Sequence, residues 1–496
     1  MRGSSALSRI RGGRISKVAI GGVWKRRIWA LLAIGVAVSV IGASVYVLST
    51  EKTPQVIPVA WNLPNRCYQF CQFASDNTTL YSLVSLNSPE GLIPGLAAYY
   101  SLQAYQWSTG RLLWSVANFT MWGVAEPWAP PAVFVYGGTV VAVFLADGEW
   151  VPGQLGGPEW LGTQFSTFVL EWNASTGAFL NQTHYAIYPG WPAEWAVTES
   201  DGWIATAAPL VGTSYNFSVQ TVPVPGNKTT YAEWDQTVHV GTLPSEGCLL
   251  PDPQIFISAG TVSLWASGGE GLTTILSGTT GSELWQGPVT GWPSLESDEY
   301  GCPFANVVGG PSGLYYIQNG TFPHVDLFNP LTRASSPVAN LSGTSVYGDE
   351  LSLLPNGELV VTDSSHGTYW AFSPAGVRLW IKTLNLSIVS SPYGFSVWGF
   401  NAPPVLLGTG TLFLYTVFSG GSGSGNGTVD YNLPFEVVND TTGTPVWSSS
   451  YQGSLCYGAC PSLATVYTPV IGSGQYLVFT LFSKGAGSCL VGRFPG

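Results

Sequence analysis

The feature that most constrains this chain is a repeated turn that ends in tryptophan. Residues 104–114 run from Ala104 through Thr109 and Gly110 to Trp114, with the Trp four residues past the Gly. Residues 275–285 repeat it with Thr280, Gly281 and Trp285, and residues 437–447 with Thr442, Gly443 and Trp447. A copy one residue shorter, 371–380, keeps Gly376 and Trp380. Residues 171–181 keep Thr176 and Gly177 without the Trp, and residues 327–337 keep Thr332 but carry Arg333 at the Gly position. A seventh unit over residues 202–238 follows from spacing and strand pattern. Repeats of this period signal an architecture whose units bury their faces only against neighbours.

The chemistry of the unit is a hairpin. Gln106, Asn173, Ser277, Asn329 and Asn439 stand three residues before the Thr. Short polar side chains there can bond the backbone two residues on and close a tight turn. The Gly supplies positive φ where the chain reverses. The Trp returns on the next strand with a large flat surface to bury between units. Before each turn lie alternating strand-like runs, such as Gly137–Phe144, Ala259–Ala266, Pro355–Thr362 and Gly408–Tyr415. Four strands per unit make one propeller blade. Seven units plus a last strand pair over 472–493 predict eight blades, with seven as the alternative. The last blade would borrow an N-terminal strand near 56–62 or 78–86, which removes open edges.

The motif resembles the tryptophan-docking motif of the PQQ-like (quinoprotein alcohol dehydrogenase-like) β-propeller family. It repeats over about residues 78–448. The resemblance implies the blade fold. It also raises two family roles, quinone-dependent dehydrogenase and non-catalytic scaffold. The dehydrogenases pair adjacent cysteines with the quinone and hold a Ca²⁺. This chain has no adjacent cysteines, so the scaffold type is expected and neither PQQ nor Ca²⁺ is.

Charge sets the partners. Eight of the 17 Lys and Arg precede residue 28. From residue 53 onward, eight basic residues face 27 acidic ones, a net charge of −19. Nucleic acid is excluded, because its affinity comes mostly from basic side chains on phosphates. Only 9% of the chain is charged, against about 25% in average proteins. Two readings fit: an acidic environment, or a surface solubilised by Ser, Thr, Asn and glycans.

Residues 28–48 form 21 uncharged residues after Lys25, Arg26 and Arg27. About 20 apolar residues span a bilayer as a helix, and flanking positive charge stays cytoplasmic. The sequence therefore predicts a basic cytoplasmic tail (1–27), a transmembrane helix (28–48), a linker (49–60) and an extracytoplasmic propeller (61–496). A cleaved signal peptide is the competing reading.

Sequons support the outer placement. They stand at Asn77, Asn118, Asn173, Asn181, Asn216, Asn227, Asn319, Asn340, Asn385, Asn426 and Asn439. An oxidising compartment also permits disulfides. The candidates are Cys67, Cys71, Cys248, Cys302, Cys456 and Cys460, which leaves Cys489 over. The two C-x3-C pairs could close locally or with one another, and their spacing is not that of a zinc site.

No residue pattern commands a reaction. Glu296, Asp298 and Glu299 form an acidic patch without a dedicated Ca²⁺ loop spacing. His324 and Asp326, two apart on a strand, share a face and can pair. Trp150, Trp160, Trp191 and Trp195 sit in Gly-rich loops and are candidate ligand contacts. The sequence thus favours binding over catalysis. The first expectation is a membrane-anchored interaction or surface-assembly module with a protein or surface-glycan partner. The alternative is an extracellular sugar-binding protein, or an enzyme, working through the central funnel.

Overall fold

The computed structural model describes residues 58–63, 71–86, 97–122, 131–146, 165–187, 196–200, 202–210, 214–223, 233–242, 253–266, 272–288, 307–318, 323–342, 350–363, 367–384, 387–390, 396–401, 403–408, 410–422, 427–457, 466–483 and 486–494. They fold into eight antiparallel sheets, of which the first six blades are four strands in sequence order. Blade 1 comprises Cys71–Ser75, Thr79–Ser85, Ala97–Gln106 and Leu112–Trp122. Blades 2 to 6 begin with Ala132–Tyr136, Ala196–Ser200, Pro253–Ser258, Val307–Gly310 and Glu350–Leu353. Blade 7 runs from Val405–Leu406 to Pro445–Tyr457, and Ser387–Ser390 and Ser396–Asn401 extend its sheet.

Blade 8 takes three strands from the C-terminal end and its fourth, Val59–Asn62, from the N-terminal end. Trp61 pairs with Val491 and Asn62 with Leu490. The ring thus closes through the first of the two N-terminal segments expected from sequence. Closure by pairing leaves no open end at the seam.

The core is distributed around the ring. Eight apolar clusters form among the described residues, one per blade interface. Phe144, Phe168 and Leu170 of blade 2 meet Tyr81 and Tyr100 of blade 1. Val141 and Val169 meet Ile204 and Val222 of blade 3. The sixth interface joins Val360 and Tyr369 to Leu412 and Val438. The seam joins Phe73 and Tyr105 to Val478 and Val491. The second strands of the blades therefore bury both faces, which is why Thr139–Ala146 is buried throughout instead of alternating, while outer strands such as Ala334–Asn340 stay largely exposed.

One expectation is corrected here. Among the described residues every element is a strand, and no helix is long and apolar enough to cross a membrane. Residues 28–48, where the helix was expected, lie outside the described residues. The single-pass topology, the membrane partner and the localisation built on that helix are not carried further.

The cysteine scheme also changes. Cys71 and Cys489 are disulfide-bonded, so Cys489 is not the cysteine left over. None of the three expected pairings falls on two described side chains. Cys67, Cys248, Cys302 and Cys460 lie outside the described residues, and of Cys456 only the backbone is described.

Candidate functional site

In an up-and-down blade, the turns after the first and third strands share one end of the ring. The Thr-Gly turns occupy that end, and their chemistry is local. Asn173 Oδ1 accepts from the amides of Ser175 and Thr176, both at 3.0 Å. Asn329 Oδ1 accepts from Leu331 and Thr332 in the same way, and Asn439 Oδ1 from Thr442. Ser277 Oγ accepts from the Thr279 amide, and Gln106 Oε1 from the Thr109 hydroxyl. Gly110, Gly177, Gly281 and Gly443 hold φ between 65° and 70°. Arg333 adopts the same conformation, φ 59°, without being Gly.

Each docking Trp reaches across to the next blade. Trp114 stacks over Gly177 and donates Nε1–H to the Ala174 carbonyl at 2.8 Å. Trp380 does the same to Gly443 and Asp440. Two further copies were missed in the sequence. Trp61 covers Gly110 and donates to Trp107, and Trp234 covers Gly281 and donates to Gly278. Trp285 faces the turn that carries Arg333 and packs on Phe328 instead, at 5.5 Å. Trp447 faces blade 8 and packs on Phe494, at 4.9 Å.

At the same end, the first strands of five blades terminate around a cavity of about 820 Å³. Tyr136, Ser200, Ser258, Gly310 and Leu353 are the last residues of those strands and all line it. Two glycines let the walls approach. A Cβ on Gly309 would lie 2.9 Å from Phe256, and one on Gly310 2.5 Å from Leu353. Ser258 Oγ donates to the Gly310 carbonyl at 2.6 Å and ties blade 4 to blade 5.

The cavity lining is mixed: it includes Thr198, Ser200 and Ser258, whose hydroxyl is engaged by Gly310, beside the aromatic Tyr136 and Phe256. Glu199 is the one carboxylate among the described lining residues, and none of them is Lys, Arg or His. Its Oε1 accepts from the Gly202 amide at 2.9 Å, which fixes the side chain beside its turn.

The other candidates lie elsewhere. His324 and Asp326 do pair, Nε2 to Oδ1 at 3.2 Å. Tyr316 donates its hydroxyl to Asp326 Oδ2 at 3.1 Å, and burial pushes that phenol up to about 12. This cluster sits within blade 5 and does not line the cavity. Glu296, Asp298, Glu299, Trp150, Trp160, Trp191 and Trp195 lie outside the described residues. Among the described residues no three His, Cys, Asp or Glu gather as a metal site.

Of the sequons, Asn77, Asn181 and Asn340 are exposed. At Asn173 the Asn-x-Ser pattern has a second explanation, since the Ser175 hydroxyl donates to Asn173 Oδ1 within the turn; at Asn439 the hydroxyl bonded to Oδ1 is that of Thr442, one past the sequon Thr441. Asn216 Oδ1 lies 2.9 Å from His239 Nδ1. Only the backbone of Asn118 is described, and Asn227, Asn319, Asn385 and Asn426 lie outside the described residues.

No protein-family model matches the chain. No curated protein matches it either. Solved structures do, through their fold. BamB from Moraxella catarrhalis is 14% identical, over 87% of this chain and 99% of that one, with a TM-score of 0.40. Sqt1 from Saccharomyces cerevisiae is 10% identical, over 89% and 99%, with a TM-score of 0.44. Quinohemoprotein alcohol dehydrogenase from Comamonas testosteroni is 11% identical, over 90% and 78%, with a TM-score of 0.29. The chain is an eight-bladed β-propeller by its own sheet topology. At these identities the likeness concerns the fold alone.

Proposed function

We propose that this protein is a binding propeller that takes a carbohydrate in the mouth of its central channel. The observation that carries this reading is the cavity itself. Its volume, about 820 Å³, falls within the roughly 300–1,000 Å³ of small-molecule sites. Its rings suit the apolar face of a sugar, and its hydroxyls and carboxylate suit sugar hydroxyls. One carboxylate among the described lining residues does not make the acid–base pair of glycosidic hydrolysis, so binding is favoured over catalysis. We read the blades as the PQQ-like type, which the Trp-on-Gly docking supports, and the role as non-catalytic, without quinone or Ca²⁺.

The test is saturation-transfer NMR on the full chain with a panel of soluble oligosaccharides. Thr198→Trp and Val308→Trp each fill the mouth, and their melting temperatures report whether they fold. Transfer that is present in the wild type and lost in a folded variant supports the reading. Transfer unchanged in both folded variants, or absent from the wild type across the panel, overturns it.

A further inference from the structure

We infer that Asn181 carries an N-linked glycan, which lies along the groove between blades 2 and 3 where a docking tryptophan lies elsewhere in the ring. Register is the first support. Trp114, Trp285, Trp380 and Trp447 pair with Ala104, Ile275, Ala371 and Val437, each beside a bulge in its hairpin. Asn181 pairs with Glu171 at the same bulge of blade 2, and like them it stands four residues past the turn glycine, here Gly177. Blade 2 therefore presents an Asn where blades 1, 4, 6 and 7 present an indole. Blade 3 has no Thr-Gly turn for an indole to cover, since residues 224–233 carry none.

Direction and access follow from the same pairing. Cross-strand partners share a sheet face, and Glu171 lies on the face turned to blade 3. Asn181 is exposed there, whereas Trp380 at the equivalent position is 7% exposed. Asn181 also opens a complete acceptor, Asn181-Gln182-Thr183. Its strand, Phe179–Ile187, is the outermost of blade 2, so a transferase can approach from the circumference. A lipid phosphate-linked oligosaccharide is the donor. The bond from sugar C1 to the phosphate oxygen breaks, the C1–Nδ2 bond forms, one Nδ2 proton passes to a base of the transferase, and the lipid phosphate leaves. The apolar face of the first sugar then removes apolar surface from water, as the indole does in other blades. Leu180, next to Asn181, is 49% exposed and offers such surface. Only 9% of the chain is charged, and a bulky glycan supplies the solubility that charge does not.

The experiment is mass-spectrometric mapping of chymotryptic peptides from the full chain, purified from the cells that make it naturally. The peptide containing Asn181 is expected to carry a sugar mass on that residue. Asn181→Gln and Thr183→Ala, made in the same cells, should each lose it, and Thr183→Ser should keep it. Both variants without the glycan are expected to melt about 2 °C or more below the wild type and Thr183→Ser. An unmodified Asn181 peptide from the wild type overturns the inference. A glycan whose loss leaves the melting temperature unchanged overturns its place in the groove. A fall in Asn181→Gln alone, with Thr183→Ala melting like Thr183→Ser, assigns the effect to the Asn side chain and overturns that place as well.

Discussion

Trp114 lies so close over Gly177 of the next blade that a Cβ built on that glycine would sit 2.6 Å from the indole ring. The contact couples two requirements in one residue. Gly177 must hold φ 70°, and it must also present no side chain to the ring. The same pairing recurs at Trp61 on Gly110, Trp234 on Gly281 and Trp380 on Gly443. These contacts lock neighbouring blades together at the end of the ring where the cavity opens.

The two requirements can be separated by mutation. Gly138 in the same blade has φ 84° and open space where a Cβ would go. Gly138→Ala should cost only the left-handed backbone, about 1–2 kcal/mol. Gly177→Ala should cost that plus about 1–3 kcal/mol for the forced indole. Urea unfolding of both variants checks the difference. Equal losses would show that the Trp gives way freely and does not lock the blades.

Stability should fall as pH rises from acid to neutral. Burial pushes the Glu171 carboxyl up to about 7, and it raises Asp235 and Glu350 as well. Glu171 shares its strand face with Val169 and pairs in register with Val141, both at the blade 2–3 interface. A carboxyl whose folded pKa is raised binds its proton more tightly when folded. Its contribution is complete below the unfolded value and is lost as pH rises through the folded one, here from about 4.5 to about 7. Asp76 runs the other way. Burial would raise it, but hydrogen bonds from Thr78, Tyr81 and Thr79 hold it below its ordinary range. Its contribution is lost only as pH falls below about 3.8. Calorimetric melting at pH 5 should therefore lie above that at pH 8, and Glu171→Gln should narrow the gap. A melting temperature that climbs from pH 5 to pH 8 would refute this, and with it the acidic-environment reading of the sparse surface charge.

What was legible in the sequence was whatever is made locally. The Asn173 turn is closed by atoms within four residues, so its motif survives in the chain as a fixed spacing. Six blades followed because each such turn marks one blade, and the other two from spacing and strand pattern. Trp61 and Trp234 escaped because neither has a Gly four residues before it, as Trp114, Trp285, Trp380 and Trp447 do. Trp61 completes a blade whose other strands lie more than 400 residues away. Trp234 follows the connection 224–233, which carries no Thr-Gly turn. The cavity was invisible for a related reason. Tyr136, Glu199, Phe256, Gly310 and Leu353 are scattered at intervals of roughly 40–60 residues and meet only because first strands line the axis. No single segment carries the signature of a site built by ring closure.

Ala259 should be a point of stored strain. It sits at φ 49° in the two-residue turn between Ser258 and Thr261, on the rim of the cavity. The left-handed region costs a non-Gly residue about 1–2 kcal/mol. Glycine has none of that cost but loses more freedom on folding, about 0.5–1 kcal/mol. Ala259→Gly should therefore stabilise the protein by roughly 0.5–1 kcal/mol, net of those two effects. A chemical denaturation midpoint that moves down, with an unchanged slope, would show that the turn is not strained.

Tyr369 should be the costliest single hydroxyl in the ring. Its side chain is fully buried at the blade 6–7 interface. The hydroxyl donates to the Tyr415 carbonyl at 2.6 Å and accepts from the Tyr415 amide at 3.2 Å. One oxygen thereby satisfies both backbone groups of a residue on the neighbouring blade. Burial raises the phenol far above its ordinary value, so it stays protonated and can donate at any pH the protein meets. Tyr369→Phe keeps the ring and removes only that oxygen, leaving a buried amide and carbonyl without their partner. Each orphaned group costs about 1–3 kcal/mol, so a loss of at least about 2 kcal/mol is expected. Tyr105→Phe is the control, because its hydroxyl meets only the half-exposed Gln103 side chain, at 2.5 Å; it should cost under about 1 kcal/mol. Urea titration gives both values, and hydrogen exchange at the Tyr415 amide should accelerate in Tyr369→Phe alone. If the two variants lose stability equally and that amide stays protected, the hydroxyl does not bridge the blades.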